Sequence, residues 1–161
     1  MKLSVEISVP STLWRGLPRA RTIARETIAA CVDEVADTPR EGAAVSLFLC
    51  DDARIRELNA RWRGFDRPTN VLSFPSAVVG GVEAAGLGDI ALAYETMVRE
   101  AETSGVRLAD HYRHLVAHGF LHLMGYDHQT NEQAKRMEAL ETRILARLGV
   151  ADPYADGAVE E

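Results

Sequence analysis

His118-Gly119-Phe120-Leu121-His122-Leu123-Met124-Gly125-Tyr126-Asp127-His128 is the stretch around which the chain is organised. His118 and His122 lie four apart in an apolar run, with Leu115-Val116-Ala117 before them and Leu121, Leu123 and Met124 around and after. On a helix this spacing stacks both imidazoles on one face, one turn apart. The helix is predicted to stop near Met124, because Gly125 can take the left-handed conformation that a branched residue resists. The chain then reverses through Tyr126-Asp127 and delivers His128 beside the pair. Three neutral imidazoles on a helix face and its exit turn suit a borderline-soft divalent metal, zinc first. Three protein ligands leave a fourth tetrahedral position for water, whereas a structural zinc site closes all four, so the pattern points to catalysis. His114 lies one further turn back and is either a fourth ligand or a hydrogen-bond partner behind the ligands. A helix drifts by about 40° per four-residue step, which makes three successive ligands at that spacing awkward. The site is therefore assigned to His118, His122 and His128. A zinc protease of the His-Glu-x-x-His type carries its general base directly after the first histidine. Here that position is Gly119, which disfavours peptide hydrolysis by that route.

Outward from this helix the pattern is α+β. Leu3, Val5, Ile7 and Val9 alternate with polar residues as in a half-buried strand that Pro10 ends. Pro18 can occupy the first turn of a helix running to about Ala36. Ala43 to Cys50 is a continuous apolar strand, expected to be central and covered on both faces. Asp51 or Asp52 caps a helix carrying Ile55, Leu58 and Trp62, and Gly64 closes it. Phe65 to Asn70 reads as a turn and Val71 to Phe74 as a short strand. Pro75 to Gly86 is Gly- and Ala-rich and is expected to be a mobile loop. Gly88 to Ala93 is the fourth strand, Tyr94 to Thr103 the next helix, and Leu108 to Met124 the metal helix. Thr130 caps a last helix to Leu148, with Met137, Leu140, Ile144 and Leu148 on one side, before Gly149. The expectation is a small mixed sheet of about four strands packed by about five helices. Residues 1–150 form a single domain in this reading, and 151–161 an acidic, flexible tail.

The 161 residues suffice for one buried core. A hydrophobic content of 47% with 26% charged residues is ordinary for a globular protein. No apolar run is long enough to span a bilayer, and Met1 to Glu6 lacks signal-peptide architecture. Cys31 and Cys50 are unclustered and read as reduced packing residues, which fits a cytoplasmic protein. The net charge of −6 argues against a nucleic-acid partner, yet the charge is uneven. Arg54, Arg56, Arg61, Arg63 and Arg67 crowd one segment, Arg15, Arg19, Arg21 and Arg25 another, and acids gather in the last helix and tail. Local positive potential can bind phosphate on a globally acidic protein. For Arg15 to Arg25 a solvated helix face explains the pattern equally well.

The string HGFLHLMGYDH, the upstream LNARWRGFDRPTNVLSFP from Leu58 to Pro75, and Gly88-Asp89-Ile90 between them resemble the YbeY family of bacterial endoribonucleases. The resemblance runs from about Ala53 to Leu148. It implies a zinc-dependent, single-strand-specific endoribonuclease acting in 16S rRNA 3′-end maturation and ribosome quality control, with one Zn2+ per chain. The implied partners are single-stranded RNA, 16S rRNA and the small ribosomal subunit, with ribosomal or assembly-factor proteins besides, and no membrane. The family's metal histidines fall on His118, His122 and His128, and its functionally important arginine on Arg63.

These residues define an expected chemistry. A bound ion lowers the pKa of water toward neutrality and polarises a phosphoryl oxygen. The attacking oxygen is that water or the ribose 2′-OH. The guanidinium fork of Arg63 matches phosphate oxygens bidentately and would stabilise the charge that develops there. Arg63 and His118 are thus the expected catalytic residues. Asp127 either accepts a hydrogen bond from a ligand imidazole or supports the turn. Asn70 and Ser73, with Asp66 and Thr69, are candidates for lining an RNA groove. Two other readings use the same residues: a non-catalytic ribosome-binding factor with a structural zinc, and a metallohydrolase of peptides or small molecules.

Overall fold

The alternating N-terminus becomes β1 (Ser4–Ser8) and the apolar run at 44–50 becomes β2 (Ala44–Cys50); α1 (Ala20–Glu34) crosses between them after a 3-10 turn at Thr12–Gly16. The computed structural model describes residues 3–37, 39, 42–75, 78–79, 82–83 and 86–155. Helix α2 (Asp52–Arg63) leads to β3 (Val71–Pro75). Two-residue strands β4 (Val78–Val79) and β5 (Val82–Glu83) precede β6 (Gly86–Ala93). Three helices follow: α3 (Tyr94–Ser104), α4 (Leu108–Leu123) and α5 (Asn131–Arg147). The main sheet is ordered β1-β2-β6-β3, with β3 antiparallel to β6 and the other pairs parallel. This is the expected single α+β domain of four sheet strands and five helices. Among the described residues no helix is long and apolar enough to cross a membrane.

Helix ends follow the local chemistry of the sequence. The Asp51 side chain accepts from Arg54 N at the start of α2, and Gly64 ends it at φ +77°. Asp52 instead serves the neighbouring helix, accepting from the backbone and hydroxyl of Thr96, while Glu95 accepts from the Asp52 N–H. The two helix starts therefore satisfy each other's unpaired donors. Thr130 and Gln133 form a reciprocal capping box on α5.

The sheet carries a core on each face. Val45, Leu47, Leu49, Ile90 and Leu92 pack beneath α1, α4 and α5. Cys50, Leu72, Ala91 and Ala93 pack against Ile55 of α2 on the other side. Strand β2 is central, but it is not covered on both faces as expected. Alternate residues Ala44, Ser46 and Phe48 are only partly buried, because α2 spans one end of that face and leaves the rest as an open groove. The segment expected as a loop also differs: Val78–Val79 pairs antiparallel with Val82–Glu83, and the remaining residues between 75 and 86 lie outside the described ones. Cys31 and Cys50 are free and buried, and burial raises both thiols, Cys50 to about 12. Neither is poised to react.

Two of the N-terminal arginines have a structural task. Arg21 donates to the carbonyl of Ile7 at 2.8 Å and Arg25 to that of Val5 at 2.6 Å. Both carbonyls belong to β1, an edge strand whose unpaired groups would otherwise invite another strand.

Candidate metal centre

Helix α4 is buried almost all round, from Tyr112 to Leu121, as a helix with apolar residues on several faces must be. It lies tight against the sheet at Gly119. A Cβ there would lie 2.9 Å from Ile90 Cγ2, 3.2 Å from Ser73 Oγ and 3.3 Å from Val71 Cγ2. The residue that excludes a protease base is thus also the one that lets the helix sit down on β3 and β6. This contact fixes the rotation of α4 and with it the direction of His118 and His122.

Helix α4 ends as expected. Gly125 takes φ +95°, and Tyr126 N bonds back to Leu121 O at 3.0 Å. His122 Nδ1 bonds to the Tyr126 carbonyl at 3.0 Å, which ties the helix end to the turn that carries His128. The ligand nitrogens of His118, His122 and His128 all lie within 4.8 Å of one another. Exposure is graded across the triad: His118 is buried, His122 half-buried and His128 exposed. The cluster opens to solvent on the His128 side.

The hydrogen bonds behind the rings test whether this set fits a metal. His118 Nδ1 lies 2.6 Å from Glu141 Oε2. A nitrogen facing a carboxylate, or a carbonyl as in His122, is the one that carries the proton. The Nε2 atoms of both rings are then lone-pair acceptors, and they face each other at 3.1 Å. Two acceptors at that distance repel unless a cation lies against both. Donors on a tetrahedral zinc with bonds of about 2.0–2.1 Å stand roughly 3.3 Å apart, close to the separation found. A proton is a poor substitute at His122, where burial is the largest influence pushing the pKa down to about 4. The donor set fits a divalent metal.

Glu141 was not foreseen. It is fully buried on α5 and bridges two histidines, with Oε1 lying 3.0 Å from His114 Nε2. The Tyr154 hydroxyl donates to the same oxygen. Burial alone would raise this carboxyl, but hydrogen bonds from His114 and His118 outweigh it and hold the pKa down to about 2. Of the two roles open to His114, the geometry gives the hydrogen-bond partner: its Nε2 is engaged with Glu141 and Tyr154 rather than turned to the triad. One signal for Glu141 was available. It falls on the apolar stripe of α5 with Met137 and Ile144, where an unpartnered carboxylate is costly. Tyr154 gave no such signal, and it belongs to the segment expected as a flexible tail. That segment is docked as far as it is described, through Tyr154 and through Thr142 Oγ1 to Asp152 at 3.2 Å.

The other expected residues divide. Asp127 supports the turn, its carboxylate accepting from the backbone N–H of His128 at 2.8 Å. Asn70 does not line a groove: it is buried, with its amide committed to Glu100 and to Val71 N, and it locks the start of β3 onto α3. Ser73 does line the groove beside Arg63, though it is largely buried and its hydroxyl donates to Gly119 O at 2.9 Å. The Ser73 carbonyl accepts from Arg63 at 2.8 Å. Arg63 is therefore joined to the ligand helix through a single residue of the edge strand, with its guanidinium 5.9 Å from the Phe74 ring centroid.

Residues 17–149 match the family described as Endoribonuclease YbeY. The chain is 48% identical over 156 residues to the endoribonuclease YbeY of Bradyrhizobium diazoefficiens, covering 94% of this chain and 85% of that protein. It is 49% identical over 157 residues to the endoribonuclease YbeY of Rhodopseudomonas palustris, covering 95% and 91%. The solution structure of TM1509 from Thermotoga maritima shares the fold, with a TM-score of 0.56 at 22% identity over 98% of this chain and 99% of that one. The chain belongs to the YbeY endoribonuclease family.

Proposed function

We propose that this chain is a zinc-dependent, single-strand-specific endoribonuclease that acts in 16S rRNA 3′-end maturation and ribosome quality control. One Zn2+ per chain is held by His118, His122 and His128. The observation that carries the metal reading is the pair of Nε2 atoms facing each other at 3.1 Å, with both Nδ1 atoms engaged behind them and the His128 ligand nitrogen within 4.8 Å. Family membership supports an RNA substrate, and the reading takes it to be RNA of the small ribosomal subunit.

When bound, the ion supplies Lewis-acid polarisation of a phosphoryl oxygen and a lowered pKa for water. The protein's own residues do the rest. Glu141 keeps the His118 proton on Nδ1 and so presents Nε2 for coordination. His128, at the exposed edge, leaves the substrate side open. Arg63 keeps one N–H on the Ser73 carbonyl and offers the remainder of its fork to the scissile phosphate, where negative charge grows in the transition state. Gly119 puts no carboxylate at the position a His-Glu-x-x-His protease uses for its base, and Glu141 is committed to the Nδ1 side of His118, so the peptide-hydrolase reading is disfavoured.

The test is cleavage of single- and double-stranded RNA by wild-type, His118→Ala and Arg63→Ala proteins, with thermal melts alongside. Folded variants that both lose single-strand cleavage support the reading. Equal cleavage by all three preparations refutes it and identifies a contaminating nuclease. A His118→Ala protein that melts far below wild type, from a wild type without turnover, supports the binding-factor alternative instead. The ends of the products identify the attacking oxygen, since 2′-OH attack leaves a cyclic phosphate and water does not.

A further inference from the structure

The chain has two tryptophans in opposite settings. Trp14 is buried between Tyr94 and Tyr112, and its indole N–H donates to Cys50 O at 2.8 Å. Trp62, in the last turn of α2, is 63% exposed, and Phe65, just past Gly64, is 52% exposed. The fold makes no use of either ring as core. Each instead carries a guanidinium: Arg61 lies 5.5 Å from the Trp62 centroid and Arg67 lies 5.0 Å from that of Phe65. In the same segment Arg54 is paired with Glu57 and Arg56 with Asp66. Arg61, Arg63 and Arg67 have no carboxylate within ion-pairing distance among the described residues. A protein of net charge −6 thus concentrates three uncompensated arginines and two exposed aromatic rings between positions 61 and 67.

This segment borders the open half of the sheet. The groove there has a volume of about 680 Å³, and Trp62 and Arg63 line it together with Phe48, Phe74 and Asp89. Asp89 is its one acidic lining residue, on β6 beside Phe74, and it faces two lining arginines of α2, Arg54 and Arg63. A polyanion would therefore run its backbone along the α2 rim and turn its apolar groups toward the rings. Unpaired nucleotides have that character: a charged backbone on one side and an open π-face on the other. A duplex does not, because its bases are already stacked and paired.

We propose that the Trp62–Arg67 segment and the groove beside it seat a single-stranded RNA, with a base stacked on Trp62 and neighbouring phosphates on Arg61 and Arg67. The inference deepens the nuclease reading and rests on it for the identity of the strand. Arg63 lines the seat and donates to the Ser73 carbonyl, and the Ser73 hydroxyl in turn donates to Gly119 O of the ligand helix.

The two tryptophans make the test direct. Emission of the wild-type protein is followed during titration with a 12-nucleotide oligouridylate, and binding is measured separately by anisotropy of a labelled strand. The expected result is quenching of Trp62 on binding. Binding should weaken by roughly 5- to 150-fold in Trp62→Ala and recover largely in Trp62→Phe. Trp62 is exposed and Trp14 holds the core, so both variants fold, as near-ultraviolet dichroism will verify. Anisotropy that saturates without quenching, or a Trp62→Ala protein that binds as wild type does, overturns the seat. Equal quenching by duplex RNA, or equal binding of polyglutamate, overturns it in favour of a charge-only surface. Cleavage assays on the same preparations separate this from the nuclease reading. Cleavage without quenching leaves the enzyme and removes the seat; quenching without cleavage leaves the seat and removes the enzyme.

Discussion

Glu141→Gln is the perturbation that bears most directly on the metal centre. The carboxylate is fully buried and meets His118 Nδ1 at 2.6 Å, His114 Nε2 at 3.0 Å and the Tyr154 hydroxyl. Glutamine keeps the shape, but it has one acceptor oxygen where glutamate has two. If that oxygen faces His118, a neutral acceptor replaces a charged one. If the amide nitrogen faces it, two donors oppose each other and His118 moves its proton to Nε2, where coordination requires a lone pair. Losing a charge-assisted hydrogen bond costs about 1.5–3 kcal/mol of stability. Losing the group behind a ligand histidine costs roughly 10–100-fold in metal affinity, about 1.4–2.7 kcal/mol. Competition for zinc with a chromophoric chelator measures the affinity, and urea unfolding of the metal-free protein measures the stability. The expected result is a fall in both, with RNA cleavage recovering at saturating zinc. A variant that is destabilised yet binds zinc within twofold of wild type would make Glu141 a packing residue and refute the argument.

Three further outcomes are expected. In Gly119→Ala the new methyl meets Ile90, Ser73 and Val71 at 2.9–3.3 Å; overpacking of this kind costs about 1–3 kcal/mol, so the melting temperature falls by roughly 2–12 °C, and an unshifted melt would show that α4 can lift off the sheet. His122 and Glu141 both bind their protons more weakly in the folded chain, at about 4 and about 2 against 6.5 and 4.5 ordinarily. Metal-free protein therefore loses stability on acidification, first between pH 6.5 and 4 and again between 4.5 and 2, by on the order of 3 kcal/mol for buried Glu141 and by less for half-exposed His122, where solvent screens the interaction; urea midpoints that stay flat from pH 7 to 4.5 would contradict this. Removing Arg21 and Arg25 together exposes the Val5 and Ile7 carbonyls of the sheet edge, lowering stability by about 1 kcal/mol and raising light scattering on heating, whereas scattering equal to wild type would rule out edge protection.

The fold was legible where a local rule decides it. Four strands and five helices follow from period, caps and glycine stops, and Gly64, Gly105, Gly125 and Gly149 all take positive φ at helix ends. Misreadings arose where the deciding interaction lies far along the chain. The apolar run at 43–50 looked fully covered because periodicity cannot reveal that α2 spans only one end of the sheet. Arg21 and Arg25 were ambiguous because their partners are carbonyls of β1, fourteen and twenty positions away. Asn70 reads as a groove residue or turn former because turns use asparagine, while its actual partner is Glu100, thirty positions on.

The candidate site divides along the same line. His118 and His122 are one turn apart and His128 follows a glycine stop, so local geometry alone converges them. Metal binding needs more than convergence, since each ring must also present its lone pair inward. That choice is made by Tyr126 for His122, within one turn, and by Glu141 for His118, from another helix. The first follows from the same turn that delivers His128; the second depends on how α5 packs across α4. A glutamate on an apolar stripe is the trace such a partnership leaves in a sequence, because burying its charge is tolerable only where donors wait for it. Here three donors wait, on α4 and on the segment after α5, and two of them are histidines of the metal helix. The carboxylate therefore couples the docking of α5 to the tautomer of the first ligand, and folding of the C-terminal helix is part of assembling the centre.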